Sequence, residues 1–176
     1  MNLDHYWTIT YRNSKGEVLW EEKNLENQIA NQGIASILEY FYRGNANYKP
    51  AQFFVRLCNY SPQVTDTLSS VSAYEPNITS GSVPLNGYAP QLVTDFPTST
   101  QDANGSTLTI TSAQVVFTAD GGNIGPVTTA FVATSNGPSG TYPDSGGKLI
   151  SYLPLAITRT ILNGDSMTYS WTAKLN

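Results

Sequence analysis

LAITRTILNGDSMTYSW, residues 155–171, decides the fold. Two alternating runs flank Asn163-Gly164, a pair typical of tight β-turns. A two-residue loop would set Thr160 against Met167 and Thr158 against Tyr169, mixing apolar and polar faces. A three-residue loop, Leu162-Asn163-Gly164, closes Ile161 on Asp165. Arg159 then meets Met167, Ile157 meets Tyr169 and Leu155 meets Trp171. Only this register gathers the apolar residues, and it puts Gly164 at the left-handed position such loops need. The expectation is an antiparallel hairpin with one apolar face.

Working outward, the same period of two recurs. Lys148 to Leu155 reads as a strand, with Pro154 marking an edge or a bulge. Val127 to Thr134 is apolar or Thr throughout, as in a strand buried on both faces. Asp120-Gly121-Gly122-Asn123 is a turn. Leu108 and Ile110 share one parity while Ala113, Val115 and Phe117 take the other, which predicts a bulge or bend near Thr111 and Ser112. Phe53, Val55 and Leu57 share a face. At the start of the chain, Trp7, Ile9 and Tyr11 alternate, as do Val18 and Trp20, around the turn Asn13-Ser14-Lys15-Gly16. Closing Arg12 on Glu17 sets Tyr11 against Val18 and Ile9 against Trp20.

One segment breaks this pattern. Ala30, Ile34, Ile37, Leu38 and Phe41 fall at helical spacing, predicting a short helix within Leu25 to Tyr42. Asn24 and Asn27 are candidate caps, and Gly44 and Asn45 suit the stop. Gly33 marks either a late start capped by Asn31 or a close approach of a neighbouring strand. The fold class is therefore all-β, an antiparallel β-sandwich or jelly-roll-like domain with one short α-helix. Residues 1–176 read as a single domain. Asn59 to Asn104 is poor in charge and rich in Pro, Ser, Thr, Asn and Gly, yet holds many apolar anchors. It reads as a folded surface lobe for contact with another macromolecule. Its candidate interface residues are Tyr60, Leu68, Tyr74, Ile78, Leu85, Tyr88 and Leu92.

Composition excludes several functions. Charged residues make up 12% of the chain, about half the usual share. The net charge is −4 and the Lys and Arg residues are scattered, which argues against nucleic acid. No apolar run approaches the ~20 residues of a membrane span, and the N-terminus lacks signal-peptide features. Cys58, the single cysteine, suits a reducing compartment and reads as a small buried residue rather than a nucleophile. His5, the single histidine, lies near a frayed N-terminus without the partners of a catalytic triad. One His and one Cys do not make a zinc site. Residues 120–123 lack the repeated acidic spacing of a calcium loop, and no phosphate-binding glycine loop is present. Glu75 and Asp66 read as turn or capping residues rather than paired catalytic carboxylates. Asn77-Ile78-Thr79 and Asn104-Gly105-Ser106 match the glycosylation pattern but, without a signal peptide, reflect only abundant Asn, Ser and Thr. No catalytic residue, metal or cofactor is expected. Trp7, Trp20 and Trp171 face inward by parity, so Tyr60, Tyr74, Tyr88 and Tyr142 are the exposed candidates for a sugar-stacking platform.

Several phrases resemble a broad class of bacteriophage virion proteins. Asn24 to Gly33 before an apolar helix is similar to their opening, and Phe54-Val55-Arg56-Leu57-Cys58-Asn59 with Pro62 and Asp66-Thr67-Leu68 to their sequel. Glu75, Asn86-Gly87-Tyr88-Ala89-Pro90-Gln91-Leu92, Val116-Phe117-Thr118, Asn123-Ile124-Gly125, Gly147-Lys148-Leu149-Ile150 and Gly164-Asp165 fit the same pattern. The resemblance implies a non-enzymatic β-sandwich on the outside of a phage particle: a capsid decoration (cement) protein, a head-fibre base or a tail-associated protein. The expected function is a decoration protein that binds and stabilises the head from outside. The alternative is a tail- or fibre-associated protein that binds host glycan or acts as an adaptor. Its partners would be capsid or other virion proteins, with the chain present as a homo-oligomer or in many copies. It would be made in the host cytoplasm and exposed on the virion surface.

Overall fold

A computed structural model describes residues 3–46, 52–76, 85–95, 100–101, 107–135 and 146–175. One antiparallel sheet runs β2 (Val18–Glu26), β1 (Leu3–Arg12), β11 (Ser166–Leu175), β7 (Leu108–Thr111), β6 (Thr100–Gln101), with β8 (Val115–Thr118) also on β11. The other runs β3 (Gln28–Ile29), β10 (Lys148–Ile161), β9 (Ile124–Ser135), β4 (Gln52–Cys58), β5 (Gln91–Leu92). The architecture is a β-sandwich of the expected class. Between the sheets lie Trp7, Ile9, Phe117, Met167 and Tyr169 from the first and Val55, Leu57, Val132, Leu153 and Ile161 from the second. A strand's side chains alternate across its sheet. Accordingly Phe131 and Ala133 of β9, with Cys58, Leu149 and Tyr152, form a second cluster on the outer face of that sheet. Ala30, Leu68 and Val71 cover it. The reading of residues 127–134 as buried on both faces is thus met.

The decisive stretch turns as expected but joins different partners. Asp165 N donates to Leu162 O at 2.8 Å and Gly164 has φ +87°, so the tight turn and its left-handed glycine are present. The two strands do not pair, however. β10 lies on β9, with Arg159 opposite Val127, while β11 lies on β1 and β8, with Met167 opposite Tyr11 and Phe117. The turn is a corner between sheets, and Ile157 is 61% exposed rather than packed on Tyr169. The Tyr11 hydroxyl holds this corner, donating to Asp165 Oδ2 at 2.8 Å and accepting from Leu162 N at 3.1 Å.

The first hairpin forms with a shifted register. Tyr11 faces Trp20, not Val18, and their rings stack at 5.7 Å; Ile9 faces Glu22. The turn closes Arg12 on Val18 rather than Glu17, and an irregularity between Val18 and Trp20 adds a further residue; a second irregularity, beside Asn24 at φ +54°, lies farther along β2. Val18 is left exposed. The parity switch near Ser112 is a one-residue bulge: Thr111 faces Thr172, but Val115 faces Tyr169. Pro154 lies where the pairing of β10 with β9 breaks register.

Helix α1 (Asn31–Ile37) continues into a π-helical turn, Leu38–Tyr42. No asparagine caps it; Ala30 holds the cap position without a side-chain hydrogen bond. Asn27 instead lies where the chain crosses from β2 to β3. With its amide oriented to satisfy its neighbours, it donates to His5 O and accepts from Trp7 Nε1 and Ser151 Oγ, bridging the two sheets. A second short helix, α2 (Leu68–Ser72), was not expected. Thr67 and Ser70 close its N-terminus as a capping box.

Candidate functional site

The expected helical stripe is present but divides: Ala30 is buried and Ile37 half-buried, while Ile34, Leu38 and Phe41 face outward. Ala30, Gly33 and Ser36 are the buried residues, three apart. A Cβ on Gly33 would lie 2.3 Å from Ile150 O, so the helix backbone rests directly on β10. With the small face against the sheet, the large residues project to solvent: Ile34 44%, Leu38 51%, Phe41 74% and Tyr42 79% exposed. Beside this ridge a cavity of about 210 Å³, almost wholly carbon-lined, opens among Ile37, Phe41, Phe53, Ile150, Trp171 and Ala173. Glu39 and Arg43 pair at 2.8 Å near its C-terminal end, and the Arg43 guanidinium holds the Glu39 carboxyl below its usual range. An apolar ridge continuous with an apolar cavity is a surface suited to burial against another protein.

The interface candidates separate into different places. Leu68 and Tyr88 are buried at 1% and 2% exposure, so neither presents a surface as expected. Leu68 joins the outer cluster, and Tyr88 stacks on Phe117 at 5.8 Å in the main core. Tyr74, Leu85 and Leu92 are exposed, and Tyr60 is half-buried and stacked on Tyr74. Ile78 lies outside the described residues, as do Tyr142, Phe96, both glycosylation-like triplets and most of the loop 135–147. The 59–104 stretch thus supplies core residues as well as surface ones.

Buried charge explains part of this. Arg56 Nη1 meets Glu75 Oε1 at 2.9 Å with both side chains excluded from solvent. The Tyr88 hydroxyl donates to Glu75 Oε2 at 2.6 Å and accepts from Leu57 N at 3.1 Å. The backbone of Glu75 does close a turn, donating to Ser72 O at 3.3 Å, but its side chain has another role, tying Tyr88 and the end of α2 to Arg56 of β4. Asp66 does act in a turn, accepting from Gln63 N at 2.8 Å.

His5 is not frayed. It sits in β1 opposite Ala173, edge-on to Trp171 at 4.9 Å. Burial lowers its pKa to about 4, against an opposing influence of Asp4. Cys58 is buried, which pushes its thiol up to about 12. Among the described residues no group of three His, Cys, Asp or Glu side chains is placed to hold a metal, and no helix is long and apolar enough to cross a membrane. The 120–123 turn is instead knitted to its neighbours by amides: Asn86 Nδ2 donates to Asn123 O at 2.8 Å, and Asn163 N donates to Asn123 Oδ1 at 2.9 Å.

Helical spacing places Ile34, Leu38 and Phe41 on one stripe without saying which way the stripe faces. The signal that locates them is the small triplet Ala30, Gly33 and Ser36, which identifies the packed side of the helix.

In comparison with protein families, residues 28–173 match the family described as Podophage GP4 fiber I protein gp80, and the chain belongs to that family. It is therefore a structural protein of the phage virion. Comparison with curated proteins finds no match.

Proposed function

We propose that the protein is a non-enzymatic, fibre-associated component of the phage particle. It acts as an adaptor and docks on a neighbouring virion protein through the ridge Ile34, Leu38, Phe41 and Tyr42. The observation that carries this reading is the ridge itself, large apolar side chains held outward beside an apolar cavity in a chain of a fibre family. Family membership favours the fibre over capsid decoration. The chain forms one domain, made in the host cytoplasm and carried on the particle's outside. Many copies on a symmetric particle make modest individual contacts sufficient.

Complementation of phage lacking the protein tests this. Leu38→Ser with Phe41→Ser should give a soluble, folded chain that is missing from purified particles. Unchanged incorporation would overturn the role of the ridge. Antibody labelling in negative stain should mark the fibres; labelling spread over the head would restore the decoration reading.

A further inference from the structure

We propose that Tyr60 and Tyr74 form a binding platform for a neutral saccharide. Their rings stack in parallel, 4.6 Å between centroids and 9° between planes. One face of Tyr74 is thereby covered, and yet the residue is 51% exposed. The pair is held in place before any ligand arrives. Tyr60 packs on the outer cluster of the second sheet, and its carbonyl accepts from Thr129 Oγ1 at 2.6 Å and Thr128 Oγ1 at 3.0 Å. Asp66, which accepts from Gln63 N at 2.8 Å, raises the pKa of the Tyr60 hydroxyl. Tyr74 N donates to Val71 O at the end of α2, and Tyr74 O accepts from Asn59 N at 2.9 Å.

Chemistry selects the ligand. A rigid tyrosine face presents contact area at little entropic cost and receives the C–H face of a pyranose. Asn59, Ser61 and Gln63 are exposed on the same loop and carry amides and a hydroxyl for sugar hydroxyls. Residues 59–67 include Asp66 but no Lys or Arg, in a chain of net charge −4, which disfavours phosphate, uronic acids and nucleotides. A stacked base would need cations that this loop lacks. Single-site affinity is expected to be weak, gaining from repeated copies.

The platform does not depend on the ridge. The test uses the full chain and neutral gluco-, galacto- and manno-configured trisaccharides, with binding followed by saturation-transfer NMR and titration calorimetry. At least one should bind. Tyr74→Ala should weaken it by about tenfold or more, and Tyr74→Trp should retain it. Leu38→Ser with Phe41→Ser should leave it unchanged. Absence of binding to all three, or binding that survives Tyr74→Ala in folded protein, would overturn the proposal. So would tighter binding of inorganic phosphate or an acidic trisaccharide at this site.

Discussion

Arg56 and Glu75 are fully buried side chains of opposite charge, and their value lies in being paired. A lone buried charge has lost its water without gaining a counter-charge. Glu75→Gln should therefore cost about 3–5 kcal/mol in chemical denaturation. Replacing both, Arg56→Met with Glu75→Leu, should recover much of that loss. His5 makes a second residue-scale prediction. Its folded pKa of about 4 lies below the ordinary 6.5, so the unfolded chain binds the proton more readily. Stability is then fully present above pH 6.5 and is lost as pH falls toward 4, by about 3 kcal/mol in total. His5→Phe keeps an aromatic edge against Trp171 and should flatten this slope in urea melts at pH 7 and pH 4.5.

Helix α1 shows how a small face directs a large one. Gly33 lets the backbone touch Ile150 O, and Ile34, Leu38 and Phe41 then point away. Gly33→Ala should destabilise by about 1–3 kcal/mol, because a backbone carbonyl cannot move aside as a side chain does. Leu38→Ala, on the exposed side, should change stability by less than about 0.5 kcal/mol. Thermal denaturation of the two variants decides between this packing and one in which the large stripe faces the core. The stripe was legible as a helix in the sequence because its period is local. Its direction was not, since that depends on what β10 offers.

At the scale of the molecule, the two ends of the described chain are one structural unit. β1 pairs with β11 along its whole length, from Leu3 opposite Leu175 to Arg12 opposite Ser166. Removing the first twelve residues should strip β11 of its partner on one side, leaving it only β7 and β8, and take Trp7, Ile9 and Tyr11 out of the core around Trp171, Tyr169 and Phe117. Such a truncation should be unfolded by near-ultraviolet circular dichroism, whereas a merely frayed end would be dispensable.

The sequence alone did not determine the short β3, β5, β6 and α2, but it determined the longer strands, the helix within Leu25 to Tyr42, where Gly164 turns and where β7 gives way to β8 by a bulge. Each of these follows from side-chain period or backbone sterics acting over a few residues. Only the tertiary structure decided that Ile161 and Ser166 go to different sheets, that Asn27 bridges them, and that Tyr88 lies inside while Phe41 lies outside. A period of two says which side chains share a face and is silent on which strand lies alongside. That choice is made by contacts between residues far apart in the chain, where burial of Arg56, Glu75 and Tyr88 together draws the 59–104 stretch into the core.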